Sequence, residues 1–219
     1  MINNIFFDFD GVLAESMDVK SQAFFDLYRP FGESVAEAVR SYHLQHGGVS
    51  RYEKFRHCHR HLLDIELDDA GVAELAGRFS ELVTQAVIEC PEVPGTSAFL
   101  QSWHPTLRFW IVTGTPGPEM EIIANARGIR PYFIEICGSP QGKTEWVAQL
   151  LEKYRLSPEE TLFVGDARSD LDAAHSAGLP FVLRETTANK ALFHHFIGPR
   201  IKDLHGLPAF LNRTLPPKV

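Results

Sequence analysis

Cysteine is scarce. The 219 residues hold three, Cys58, Cys90 and Cys137, odd in number and far apart, with no Cys-x-x-Cys pair among them. That removes a disulfide framework and points to a reducing compartment. Positive charge is also short: 21 Lys and Arg stand against 28 Asp and Glu, a formal charge of -7. Generic attraction to nucleic acid or to an anionic membrane is thereby excluded as the basis of function. Long apolar runs are missing too, since nowhere do ~18 uncharged apolar residues follow one another. The opening MINNIFFDFDG meets its first acids with neither a basic flank nor a long apolar stretch, so no signal peptide is read there. Repeats and low-complexity tracts are lacking. The expectation is a soluble, cytoplasmic protein, in which the sequon Asn212-Arg213-Thr214 has no meaning.

What is present is a core. At 44% hydrophobic residues, a chain of this length hides roughly 70% of its unfolded surface, as one compact unit or as a core domain with one insertion. Five short β-rich runs stand out: Ile5 to Phe9, Phe109 to Thr113, Phe133 to Cys137, Thr161 to Gly165 and Pro180 to Arg184. Their apolar character is nearly continuous, as in strands covered by helices on both faces. Helical spacing fills Gly117 to Arg127, Lys143 to Tyr154 and Ser169 to Ala177, with Gly128 and Gly178 at C-cap positions. This βαβ rhythm predicts an α/β fold with a parallel sheet. Gly198 to Ile201 offers a weak sixth strand at an edge, and Leu215 to Val219 reads as a loose tail.

About ninety residues separate the first two strands, and nearly all carry helical spacing: Ser16 to Tyr28, Ser34 to His46, Arg51 to Leu63 and Asp68 to Ile88. No ordinary crossover needs so much chain. A helical insertion over residues 15–89 is expected, re-entering at Val93-Pro94-Gly95, with 1–14 and 90–219 as the core domain. Ligands of open α/β sheets bind at the carboxyl ends of the strands, so the insertion would act as a lid there.

Asp8 and Asp10 stand at the end of the first strand, and two carboxylates on a buried strand end are costly unless something cationic holds them. A divalent metal is the natural compensation. Asp8-Phe9-Asp10-Gly11-Val12, Thr113-Gly114 after the second strand, Lys143 opening a helix, and Gly165-Asp166-Ala167-Arg168-Ser169-Asp170 after the fourth strand occur in that order. Together they resemble the four motifs of the haloacid dehalogenase-like superfamily of phosphotransferases, over the whole chain. Its phosphoglycolate phosphatase and β-phosphoglucomutase-like members carry a helical cap after the first strand.

The resemblance implies a doubly wound Rossmann-like sheet of order 5-4-1-2-3 and a Mg²⁺-dependent phosphatase acting on a small phosphorylated metabolite, a sugar or hydroxy-acid phosphate. Asp8 would be the nucleophile, forming an aspartyl-phosphate. Asp8, Asp166 and the backbone carbonyl of Asp10 would hold Mg²⁺. Asp10 would serve as general acid and base, with a pKa above that of metal-bound Asp8. Thr113, Gly114 and Lys143 would bind the phosphoryl oxygens, Gly11 would let amides approach phosphate, and Asp170 would orient Lys143 or a metal-bound water. The loop His46 to Arg51 resembles the substrate-contacting cap loop of the family and makes Arg51 a substrate contact.

Other readings are weaker. A sugar-phosphate mutase of the β-phosphoglucomutase type shares the aspartates, but usually has Glu-Asp where this chain has Gly165-Asp166. A catalytically silent binding protein on the same fold would lack a motif acid, and none is lacking. A dehalogenase lacks the acid at the position of Asp10. Gly138 to Thr144 has one residue too few between its glycines for a nucleotide-binding P-loop, and Thr113 to Gly117 has no central serine for a hydrolase elbow. Of the insertion's histidines, His57 and His61 could share a metal, but no carboxylate or second cysteine falls at zinc spacing. Lys54 and Arg60 read as a solvated helix face, and Asp172 as a first-turn acid of its helix.

Overall fold

The computed structural model describes residues 1–214. Its six strands are β1 (Asn4–Phe7), β2 (Arg108–Pro116), β3 (Phe133–Ser139), β4 (Thr161–Gly165), β5 (Phe181–Arg184) and β6 (Arg200–Ile201). All pair in parallel, in the order β3-β2-β1-β4-β5-β6. This is the expected 5-4-1-2-3 order with the sixth strand at the β5 edge. The helices are α1 (Met17–Tyr28), α2 (Glu33–Gln45), α3 (Arg51–Cys58), α4 (Asp69–Glu89), α5 (Thr96–Trp103), α6 (Gly117–Ala126), α7 (Lys143–Tyr154), α8 (Arg168–Ser176) and α9 (Leu207–Thr214). The reading of Leu215 to Val219 as a tail lies outside the described residues.

The continuous apolar runs are explained by two cores, one on each face of the sheet. Alternate residues of a strand point to opposite faces, so Ile5 and Phe7 go one way and Phe6 the other. Ile5, Phe7, Phe109, Ile111 and Val164 join Phe99 and Leu100 of α5, Ile123 of α6 and Leu207 of α9. Phe6, Trp110, Val112 and Phe163 join Val147 and Leu150 of α7 and Ala173 of α8. Phe24 of α1, Phe55 of α3 and Phe79 of α4 belong to the first of these cores, and α4 packs against α6.

Several details differ from the expectation. The helix expected over Arg51 to Leu63 winds as an α-helix only to Cys58 and then widens into a π-type turn, His59–Leu63. Helices α5 and α9 were not foreseen; each is eight residues long, too short for a periodic pattern to declare itself. The closures at Gly128 and Gly178 are as expected, with the Ile129 and Leu179 amides reaching back to the Ala124 and Ala174 carbonyls. Among the described residues no helix is long and apolar enough to cross a membrane.

Phe7 is fully buried and meets Phe99, Phe109 and Phe133 edge-on at centroid separations of 6.0, 5.5 and 6.4 Å. Replacing it by alanine leaves a void that close-packed neighbours cannot refill. Phe7→Ala is expected to lower the unfolding free energy by about 3–5 kcal/mol, read as a shifted urea midpoint at unchanged slope.

Candidate active site

Parallel pairing of β1 with β2 and β4 brings the carboxyl ends of three strands together. β1 leads directly into Asp8, whose amide continues the ladder to the Val164 carbonyl at 3.0 Å. β4 leads into Asp166, β2 carries Thr113 near its end, and α7 begins with Lys143. Asp8, Thr113, Lys143, Asp166 and Asp170 are all buried. The Lys143 ammonium lies between two carboxylates, 2.8 Å from Asp8 Oδ2 and 2.6 Å from Asp170 Oδ1. The other Asp170 oxygen accepts from the backbone amides of Asp166 at 3.2 Å and Ala167 at 2.9 Å. Asp170 is thus fully engaged in shaping the turn before α8 and holding Lys143.

Asp8, Asp166 and Asp170 each bring a carboxylate oxygen within 4.8 Å of the others, the one such acidic or mixed cluster among the described residues. Three carboxylates face one ammonium, an excess of two negative charges in a buried place. Burial first, then the Asp170 charge, push the Asp8 carboxyl up to about 7, against the pull of Lys143. Burial, then Asp8 and Asp170, hold the Asp166 carboxyl well above the usual carboxylate range. The Asp166 side chain makes no hydrogen bond or ion pair among the described residues. A hard divalent cation fits this donor set, with the Asp8 and Asp166 carboxylates free to hold it.

Asp10 points elsewhere. Its Oδ1 accepts from Ser16 Oγ at 2.5 Å, and its Oδ2 accepts from Lys20 Nζ at 2.5 Å and Thr115 Oγ1 at 2.9 Å. Lys20 also donates to Thr115 Oγ1 at 2.6 Å. Burial raises this carboxyl, but the Lys20 charge and the three hydrogen bonds outweigh it and bring it down to about 2. Without a metal, the protein's own charges therefore place the Asp10 carboxyl below that of Asp8; the expected order concerns Asp8 bound to metal. Lys20, Ser16 and Thr115 were not read from the sequence. For Thr115 a signal existed, because two residues after Thr113 on one strand means the same face.

The loop between α2 and α3 reaches onto the strand ends. Gly48 takes φ +73°, and a methyl there would run into Ser169 Oγ and stand 3.1 Å from Lys143 Nζ. A methyl on Gly114 would meet the Gly48 carbonyl at 2.8 Å. At Gly11, φ +72°, it would strike the Asp166 carboxylate. These glycines let two backbones approach the acidic cluster where any side chain would hold them off. Above the cluster is a cavity whose floor includes Asp8, Asp10, Asp166 and Gly114 and whose roof includes Phe24, His43, Lys54 and Phe79.

Two expectations for the roof need correction. Arg51 lines the cavity, but its guanidinium is spent elsewhere: both terminal nitrogens bind Glu119 of α6, at 2.8 and 2.7 Å, and one also donates to Ser80 at 2.8 Å. It lies 4.5 Å over the Phe79 ring. It therefore ties α3 to α6 instead of aiming at a substrate. Lys54 is not on a solvated face; it is 3% exposed and lines the cavity. Asn189, also unforeseen, donates to the Asp166 and Arg184 carbonyls at 2.8 and 2.9 Å and braces the end of β4.

A family of haloacid dehalogenase-like hydrolases matches residues 2–178. A curated phosphoglycolate phosphatase from Shigella boydii is 33% identical over 109 residues, 48% of this chain and 42% of the relative. The chain thus aligns with less than half the length of that relative. Among solved structures, a predicted phosphoglycolate phosphatase from Haemophilus somnus superposes with a TM-score of 0.74 at 20% identity, covering 96% of this chain and 98% of that one. The HAD-hydrolase YfnB from Bacillus subtilis, bound to magnesium, superposes with a TM-score of 0.71 at 18% identity over 96% and 99%.

Two outcomes test this geometry. Without added metal, Asp166→Asn is expected to raise the melting temperature, because a buried carboxyl held above its ordinary range weakens the fold at neutral pH. With Mg²⁺ at about a hundred times its dissociation constant the parent should gain roughly 2.7 kcal/mol, and the variant should gain little. Glu119→Gln leaves Arg51 buried and uncompensated, and should cost about 3–5 kcal/mol in denaturant unfolding.

Proposed function

The chain belongs to the haloacid dehalogenase-like hydrolases, and from that premise we propose that it is a Mg²⁺-dependent phosphatase that cleaves a small phosphorylated metabolite through a phospho-Asp8 intermediate. The observation that carries this reading is the buried cluster at the ends of β1 and β4, where Asp8 is braced by Lys143 and Asp166 has no partner of its own among the described residues. The relative named as a phosphoglycolate phosphatase supports a phosphorylated small molecule as substrate.

An Asp8 carboxylate oxygen attacks phosphorus as the bond to the leaving oxygen breaks, and Asp10 gives that oxygen a proton. Water then attacks the phosphorus of phospho-Asp8, passes its proton to Asp10, and releases Asp8 and inorganic phosphate. Asp10, kept ionised by Lys20, stands ready as the base of the second half. To act as the acid of the first, it has to part from Lys20 and carry the proton taken from water in the preceding turnover, which it then gives to the leaving oxygen. The Thr113 hydroxyl, the Gly114 amide and the Lys143 ammonium bind the equatorial phosphoryl oxygens, where transition-state charge is spread. Asp170 fixes Lys143 in place. Asp8, Asp166 and the Asp10 carbonyl would hold Mg²⁺, which would offset the carboxylate charge and polarise a phosphoryl oxygen.

Residues 15–89 act in this reading as a cap over a core of 1–14 and 90–219. A cap seated this close admits a small alcohol and excludes a phosphoprotein. The approach of Gly48 to Lys143 and Ser169 favours a second reading, a sugar-phosphate mutase, because the loop shields the phospho-aspartate from water. Phosphate release measured beside isomer interconversion separates the two.

Mg²⁺-dependent hydrolysis of an aryl phosphate is the direct test. Asp8→Asn should abolish it, and activity that persists undiminished would overturn the assignment of the nucleophile. Asp10→Asn should keep metal binding and lose turnover by roughly a hundredfold or more.

A further inference from the structure

The hydrolysis above gives no task to a pair of histidines on the insertion. His57, in the last turn of α3, and His61, in the π-type turn that follows, have ring centroids 4.4 Å apart. Neither ring makes a hydrogen bond among the described residues. His57 also lies flat on the Tyr42 ring, 4.1 Å away at 8°, and that stack fixes its orientation. His46 stacks on Tyr42 as well, at 3.9 Å, but its Nδ1 is engaged with the Tyr42 carbonyl at 2.9 Å. Burial first, then the His61 and His46 rings, hold the His57 imidazole below its ordinary range. The ring is thus kept neutral, as a metal ligand must be.

A carboxylate, which the spacing of the chain did not show, arrives there by a reversal of the backbone. Asp64 takes φ +56°, and the amides of Asp64 and Ile65 both return to the His59 carbonyl. Glu66 is thereby brought back beside the helix end, and a cleft of about 240 Å³ is lined by Arg56, His57, Arg60, His61 and Glu66. None of these five lines the cavity over Asp8 and Asp166. Glu66 accepts from Arg60 Nε at 2.5 Å and from a terminal nitrogen at 2.8 Å, yet the Arg60 and Glu66 side chains are 61% and 71% exposed. A pair so exposed contributes little, and its carboxylate can exchange partners cheaply. Arg56, the other cation of the cleft, is spent on the Leu67 carbonyl and on Asp69.

We propose that His57, His61 and Glu66 form a zinc site on the insertion, with water in the fourth position. Two imidazoles and one carboxylate suit a borderline ion such as zinc far better than magnesium, so this site differs in chemistry from the acidic cluster. To complete the set Glu66 leaves Arg60, whose side chain already stands in solvent. The bound ion joins the end of α3 to the segment that leads into α4. Those two helices carry Lys54 and Phe79 into the roof of the cavity, and zinc ties them together.

The test is a calorimetric titration of the full chain with Zn²⁺. The parent should take up one zinc ion that excess Mg²⁺ does not displace. His57→Gln and His61→Gln should each weaken that binding by at least the roughly tenfold that loss of even an outer partner costs a metal site, and Glu66→Gln should weaken it too. Arg60→Met should tighten it severalfold, since no guanidinium then competes for Glu66. Zinc should raise the melting temperature of the parent and leave that of either histidine variant unmoved. His61 is exposed, so its variant keeps the fold even if loss of the His57 stack on Tyr42 disturbs α3. No zinc uptake, uptake that Mg²⁺ abolishes, or uptake that neither histidine variant weakens would each overturn the site. A Glu66→Gln variant that binds as well as the parent, or an Arg60→Met variant that binds no tighter, would overturn the carboxylate ligand and with it the assignment.

Discussion

The Lys143 ammonium, buried between Asp8 and Asp170, is the contact on which the site's arrangement depends. Three carboxylates within 4.8 Å of one another would repel strongly in a medium that water does not screen. One ammonium offsets part of that repulsion and also fixes direction, because it bonds one oxygen of Asp8 and one of Asp170. Asp170 uses its second oxygen to hold the amides at the start of α8. Helix α7, helix α8 and the end of β1 are thereby locked to one another through a single nitrogen. What remains without a partner of its own among the described residues is the Asp166 side chain.

Such a cluster needs a rigid base. A parallel sheet with both faces covered supplies it, since two separate cores grip the same strands and neither face can relax without disturbing the other. The strand ends then present side chains and amides at fixed spacing. The helices between β1 and β2 share the larger of the two cores, and the buried Arg51–Glu119 pair adds a directional tie from α3 to α6. The roof is therefore positioned by packing and by one ion pair at once.

Charge is divided between floor and roof. The floor is acidic, with Asp8, Asp166 and Asp170 grouped there. The roof carries Lys20, Arg51 and Lys54, of which two are neutralised by carboxylates within the protein. Lys20 sets the protonation of Asp10, Arg51 sets the seating of the roof, and Lys54 is left facing the cavity. Three cations of similar appearance in the chain thus have three different consequences, decided by whether an acid stands opposite.

The strands, their parallel pairing and the order of the motif residues were legible in the chain, because continuous apolar runs at strand length and acids at strand ends are local patterns with local causes. Asp8 and Asp10 could be singled out on that basis, while Thr113, Lys143, Asp166 and Asp170 were named through the resemblance of the four segments to the motifs of a known superfamily. The partners of the roof could not. Whether Arg51 or Lys54 faces the cavity depends on Glu119, which lies 68 residues from Arg51, and on how α3 turns against α4 and α6. The depression of the Asp10 carboxyl likewise needs Lys20 and Thr115 to converge from α1 and β2. Residue type and spacing determine which side chains are able to do chemistry here; only the folded chain decides which charges meet, because pairing energies fall off within a few ångströms and no linear distance predicts them.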